Sequence, residues 1–394
     1  MRTLTVRAGH AKPLWAGHPW VHAGSVLALE EGEGDVVRVA DDGGRTIGRA
    51  WLSPASAIRA RIFDRGEGTL SEDAILAARV ADAVALRARL FPDPSRTDAY
   101  RLIHGEADGV PGLVADRFGP VLVAQFATRP LVARRERLSA LLLSSTGATC
   151  LVGRPGGKEA VEGIAPEEVA FAAGAPAPAS VLVREDGLLF EVDLRRGQKT
   201  GHYADQRENR RFVADVAAGA TVLDLHAGTA GFSVRALAAG ATAALAVDSS
   251  GPALEAARRN AAHNGVLERF TAAEGDVGDR LEACARAGER FGVVVVDPPR
   301  FAATRQGLAK AIPAYRRLNA RALGRVVPGG FLATFSCSGA VDPATFQETV
   351  RAAARESGRT ASVLRVLLAG PDHPVSLAAP EGRYLTGLLL RVDA

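Results

Sequence analysis

The chain has 394 residues, 47% hydrophobic and 23% charged, with a net charge of +4. That composition excludes disorder as the main state and predicts roughly two to four folded domains. No apolar run approaches the ~20 residues of a spanning helix, and Met1–Arg7 lacks the apolar core of a secretory leader, so a cytoplasmic protein with no membrane role is expected.

The first ~70 residues read as short strands broken by Gly and Asp, a pattern of small β barrels and sandwiches. They are Val36–Ala40, a turn at Asp41-Asp42-Gly43-Gly44, Thr46–Leu52 and Ile58–Phe63. Ser71 is a candidate cap for a helix running to about Phe91, where Pro92-Asp93-Pro94 ends it. Strands are expected at Tyr100–Ile103, Gly112–Asp116, Val121–Phe126 and Thr149–Val152, with a helix at Leu131–Leu143. The Ala/Pro/Gly stretch 172–180 is a candidate hinge.

Charge is unevenly spread. Residues 1–190 hold 22 Lys/Arg against 23 Asp/Glu, and residues 191–394 hold 26 against 21. Most of the excess lies in Arg195–Arg211, where six basic residues face Asp205 and Glu208. Such a run suits an anionic partner such as RNA; a solvated helix face is the plainer explanation.

From residue 221 strand and helix alternate, which predicts a doubly wound parallel α/β sheet. Strands fall at Val222–Leu225, Ala244–Asp248, a third ending near Asp276, Val293–Asp297 and Phe331–Ser336. Two more, near Val363–Leu368 and Leu385–Val392, form a terminal pair. Ligands of such sheets bind beyond the carboxyl ends of the strands. The turn Asp224-Leu225-His226-Ala227-Gly228-Thr229-Ala230-Gly231 is neither a dinucleotide fingerprint nor a P-loop. Gly228 and Gly231 allow close approach of a ligand, Asp248 suits ribose hydroxyls and Asp276 an adenine amine. Three acids in succession favour S-adenosylmethionine, a cation without phosphates, although each acid could simply cap the next helix.

Asp297-Pro298-Pro299-Arg300-Phe301 is a stiff loop whose carboxylate and aromatic ring suit a planar base. The three cysteines, Cys150, Cys284 and Cys337, have no disulfide or metal spacing. Cys337, between serines at the end of the fifth strand, is the one expected to share a pocket with Asp297. A thiolate there can add to carbon 6 of a pyrimidine and make carbon 5 nucleophilic.

With these residues in view, the sequence resembles the S-adenosylmethionine-dependent 23S ribosomal RNA 5-methylcytosine methyltransferases that carry an N-terminal PUA domain. The resemblance spans nearly the whole chain. It is carried by Gly17-His18-Pro19-Trp20-Val21, by Arg101–Leu113, by Gly197–Gly201 with Asp205–Arg210, and by Asp372-His373-Pro374 with Pro380–Leu385. It implies a PUA-like domain at 1–70, a central α/β domain at 71–185 and a Rossmann-like class I methyltransferase domain with a seven-stranded sheet at 186–394. Cys337 becomes the nucleophile and Asp297 a base-pocket residue. Asp224, Gly228, Gly231, Asp248, Asp276, Asp297 and Gln206 face the cofactor. Lys199, Arg207, Arg210, Pro298 and Phe301 face the RNA. The implied partner is 23S ribosomal RNA or a large-subunit assembly particle, and a homodimer is compatible. Ala230 stands where relatives often have glycine, and His226 where they often have an aromatic residue.

The expected activity is methyl transfer to carbon 5 of a cytidine. Methylation of a guanine nitrogen or another base position, and an inactive RNA-binding module, are the alternatives.

Overall fold

The computed structural model describes residues 1–393 apart from 67, 158, 196–199 and 303. They form two compact units, one of Met1–Asp186, Val192–Ala204 and Pro371–Gly382, the other of Gly187–Glu191, Asp205–Gly370 and Arg383–Ala394. In the first unit, alternating burial makes a six-stranded sheet ordered Trp20–His22, Ile58–Asp64, Thr46–Leu52, Val36–Ala40, Thr3–Val6, Val26–Leu29. Leu4, Val6, Val37, Val39 and Ile62 fill its core.

Ser71 caps the helix Glu72–Leu90 by accepting from the Ala74 amide, with Glu72 and Asp73 favourably placed in the first turn. That helix packs Ile75, Leu76 and Val80 into the core of a five-stranded sheet. The sheet is ordered Phe171–Gly174, Cys150–Gly153, Val121–Phe126, Leu113–Phe118, Ala99–His104. The stretch 172–180 is therefore not one hinge, since Phe171–Gly174 pairs antiparallel with Cys150–Gly153. Gly153 leaves room for the Phe171 ring, which would lie 2.4 Å from a Cβ at that position.

The second unit is built from α1 (Arg207–Ala214), β1 (Thr221–Leu225), α2 (Gly231–Ala238), β2 (Ala243–Asp248) and α3 (Gly251–His263). Next come β3 (Phe270–Glu274), α4 (Val277–Arg286), β4 (Phe291–Val296), α5 (Leu308–Leu323) and β5 (Val326–Ser336). The last elements are α6 (Pro343–Glu356), β6 (Ala361–Leu368) and β7 (Thr386–Val392). The sheet order is β3-β2-β1-β4-β5-β7-β6. β1 to β5 run parallel, and β7 lies antiparallel between β5 and β6. This is the doubly wound sheet with a terminal pair that the strand–helix alternation predicts. The third strand stops at Glu274, short of Asp276. β6 is an edge strand, irregular between Val363 and Arg365, and Val363, Leu364, Val366 and Leu368 are exposed on it. No helix of the described residues is long and apolar enough to cross a membrane.

The signature segments around 101–113 and 372–374 meet in the interior of the first unit. Arg87, fully buried, grips both carboxylate oxygens of Asp108 at 2.6 and 2.8 Å and donates to the carbonyls of Arg101 and Asp372. Arg101 pairs with Asp116 at 2.5 Å, and its amide donates to Asp372 Oδ2. Arg101 also donates to His104 Nδ1 at 2.9 Å, so that nitrogen carries no proton. Burial, reinforced by the arginine charges, pushes the His104 pKa down to about 2. These motifs thus lock the 371–382 segment to the central sheet. Removing one partner of a buried pair costs about 3–5 kcal/mol. Arg87→Met should destabilise the first unit by that amount. Its fluorescence reports the change under urea, because Trp15, Trp20 and Trp51 all lie within it.

Candidate active site

Parallel pairing brings the carboxyl ends of β1, β2, β4 and β5 to one edge of the sheet. Leu225 pairs with Val247 and Val296, and Val296 with Thr334. The glycine turn, Asp248, Asp297 and the loop Ser336-Cys337-Ser338 therefore lie along that edge.

Asp224 is buried at the end of β1. Its Oδ2 accepts from the Ser233 amide at 3.1 Å and from the Ser233 hydroxyl at 2.8 Å. Its Oδ1 is buried with no hydrogen-bond partner among the described residues. Burial pushes the carboxyl up to about 7, against the Ser233 bonds; the Asp297 charge adds to the rise and the Arg210 cation opposes it. Asp248 is half-buried. Its Oδ2 accepts from the Gly228 amide at 2.8 Å and its Oδ1 from the Ser250 amide at 2.9 Å, so it shapes the glycine turn. Asp276 is exposed and caps α4, accepting from the Asp279 amide at 3.1 Å.

The turn uses its small residues in different ways. Gly228 has φ +54 and open space where a side chain would be. A Cβ on Gly231 would stand 2.5 Å from Arg210 Nε, so this glycine makes room for an arginine. Ala230 (φ +59, ψ +39) and His226 (φ +59) both occupy the left-handed region. That geometry favours glycine over alanine at 230.

Gln206, buried, donates Nε2–H to Asp297 Oδ2 at 2.9 Å. Its Oε1 accepts from Asn209 Nδ2 at 2.6 Å, and Asn209 also donates to the Leu368 carbonyl. Asn209 belongs to the Asp205–Arg210 segment that carries the resemblance, which assigns it no role. Arg207 and Arg210 are 0% and 4% exposed, so these two are not part of a solvated face, whereas Arg195 and Arg211 are exposed. Arg210 lies 5.9 Å over the Phe232 ring. Lys199 lies outside the described residues. Tyr384 of the C-terminal signature donates to Asp205 Oδ2 at 2.6 Å.

Pro298 is buried, and its carbonyl accepts from Cys337 Sγ at 3.8 Å, which joins the loops after β4 and β5. The Phe301 ring packs on Tyr315 with centroids 4.7 Å apart, at the edge of the core. Cys337 is half-exposed, whereas Cys150 and Cys284 are buried, and burial raises both of their thiols. An unpartnered buried carboxylate oxygen on Asp224, open space at Gly228 and a second carboxylate on Asp248 fit a cationic adenosine ligand.

Residues 101–380 match a family model described as S-adenosylmethionine-dependent methyltransferase, and residues 4–65 one described as a PUA-like domain. Among curated relatives, the ribosomal RNA large subunit methyltransferase I of Klebsiella pneumoniae is 35% identical, covering 99% of this chain and 98% of that protein. The protein of the same name in Aeromonas salmonicida is also 35% identical, with 97% of each chain covered. A solved chain from Streptococcus mutans, assigned as a SAM-dependent methyltransferase, superposes with a TM-score of 0.85 at 20% identity, covering 99% of this chain and 100% of its own.

The Asp224 proton gives a stability signature. The unfolded carboxyl releases it near 3.8, whereas the folded chain holds it to about 7. Folding is therefore penalised progressively as pH rises through that window. Asp224→Asn, which cannot ionise, should gain stability relative to the parent chain between those limits and level off above them. Urea midpoints measured across pH check this.

Proposed function

Since this chain belongs to the S-adenosylmethionine-dependent methyltransferase family, we propose that it methylates carbon 5 of a cytidine in large-subunit, 23S, ribosomal RNA. The single observation that carries this reading is Cys337. Its half-exposed thiol sits at a strand end beside the Asp297-Pro298 loop, while the other two cysteines are buried. The ribosomal substrate is supported by the relatives whose printed name specifies the large-subunit RNA, and by the PUA-like segment.

S-adenosylmethionine supplies the methyl group. Asp248 and the glycine turn hold its ribose, and Asp224 faces its positive charge. The target base is turned out of its strand into the pocket. Cys337 Sγ adds to carbon 6, which saturates the 5–6 bond and makes carbon 5 nucleophilic. Asp297, held by Gln206, enters the step as the carboxylic acid and passes its proton to nitrogen 3 as the thiolate adds, which neutralises the charge that builds there. After carbon 5 is methylated, its proton passes to water, the C–H electron pair restores the double bond and expels the thiolate, and nitrogen 3 returns its proton to Asp297. Residues 1–70 grip the RNA and take no part in the chemistry.

Losing hydrogen bonds to an ionised carboxylate costs on the order of 1.5–3 kcal/mol. Asp248→Ala should therefore weaken S-adenosylmethionine binding roughly 10- to 150-fold by calorimetry. Cys337→Ala should bind the cofactor normally and transfer no methyl group. RNA with 5-fluorocytidine at the target should trap the parent protein as a denaturant-resistant complex and leave the variant free. Full methyl transfer by Cys337→Ala would favour methylation of a guanine nitrogen or another base position.

A further inference from the structure

Tyr315 lies on α5 and is fully buried, 22 residues before Cys337 in sequence. Its hydroxyl stands 3.0 Å from the Ser336 hydroxyl, which donates to it, and 3.0 Å from the Ser338 hydroxyl. Both serines are fully buried and flank Cys337. Ser338 Oγ also accepts from the Ala302 amide at 3.2 Å, and the Ser338 amide donates to Ser336 Oγ at 3.3 Å. One phenol oxygen thus ties the residue before Cys337, the residue after it and the loop that carries Asp297.

The ring that presents this oxygen is itself fixed. It packs on Phe301 at 4.7 Å and edge-on to Phe346 at 5.8 Å. Burial raises the phenol above its usual pKa, so it serves as a neutral hydroxyl across the working range. Hydroxyls buried in an apolar core are costly unless paired. Three of them converge on one point, where an apolar trio would fill the same space without that cost. Nothing in the proposed chemistry uses any of the three directly. The thiol is the group they surround. A side chain on a loop keeps a productive rotamer only when its neighbours hold the backbone.

We infer that Tyr315 is a positioning residue which, through Ser336 and Ser338, fixes Cys337 against the Asp297-Pro298 loop for attack on the base. This rests on the reading of Cys337 as the nucleophile. A displacement of about 1 Å at a reacting atom costs on the order of 100-fold in rate, so the constraint bears on turnover and not on binding.

Tyr315→Phe removes one oxygen and keeps the ring. In the full-length protein it should lower kcat for methyl transfer to unmodified large-subunit RNA roughly 10- to 100-fold. The RNA KM and the calorimetric affinity for S-adenosylmethionine should be unchanged. Cys337 should react faster with iodoacetamide, read by peptide mass mapping, because a loosened loop exposes the thiol while spoiling its aim. Ser338→Ala, which leaves the tyrosine in place, is read in the same way should the phenylalanine variant not fold. Unchanged kcat overturns the inference. So does parallel loss of cofactor affinity, which marks a packing residue, and so does slower alkylation, which marks an activating one. A fully active Cys337→Ala protein sinks the nucleophile itself; alkylation needs no RNA, so it still reports whether Tyr315 holds the thiol.

Discussion

The parallel pairing of β4 with β1 on one side and β5 on the other sets the geometry of the candidate site. Val293–Val296 are fully buried, and the register runs from Leu225 to Val296 to Thr334. β4 stops one residue before Asp297, and β5 one residue before Cys337. A one-residue slip in β4 would turn its apolar set and change where Asp297 emerges. β4 ends at Val296 opposite Thr334 and β5 runs two residues further to Ser336, beyond which the Cys337 thiol meets the Pro298 carbonyl.

Around that edge the unit keeps charge in its interior at a cost. The Asp297 charge adds to the rise in Asp224's proton affinity that burial causes, and Arg210 works against it. Gly231 admits the arginine because it has no side chain to obstruct it. The basic helix α1 therefore acts inward. Its Arg207 and Arg210 are buried, and Asn209, through Gln206, orients the Asp297 carboxylate. An amide pair can do this because each group has a defined donor side. Asn209 fixes which end of Gln206 is the oxygen, and Gln206 then presents its N–H to the carboxylate.

The legible parts of the molecule were those that repeat or punctuate. Apolar runs ending in Asp224, Asp248 and Asp297 marked strand ends, and Ser71 marked a helix start, because burial and capping act over a few neighbouring residues. Asp276 also followed a strand, but β3 stops at Glu274 and that acid caps α4. Within the Arg195–Arg211 run the burial of Arg207 and Arg210 was not legible, because a charge count does not register which side of a helix is covered. Phe301 read as a stacking ring, yet it packs on Tyr315, a residue 14 positions away with no periodic link to it. The hydroxyl cluster was invisible for the same reason, since serine and tyrosine declare nothing until the fold brings them together.

The open edge of β6 has a consequence for how the protein behaves in a crowded cell. An eight-residue edge strand, paired with β7 on one side and carrying four exposed aliphatic side chains, resembles the template on which fibrils and sheet-to-sheet aggregates grow. Here Val363 pairs with Leu390 and Arg365 with Leu389, so Leu364 is an extra residue that kinks the strand. An incoming strand meets a broken ladder rather than a continuous one. Deleting Leu364 would straighten the edge and leave the internal sheet bonds almost untouched. The harm from such a change would appear in test tubes as turbidity that grows with concentration, long before any loss of folded structure.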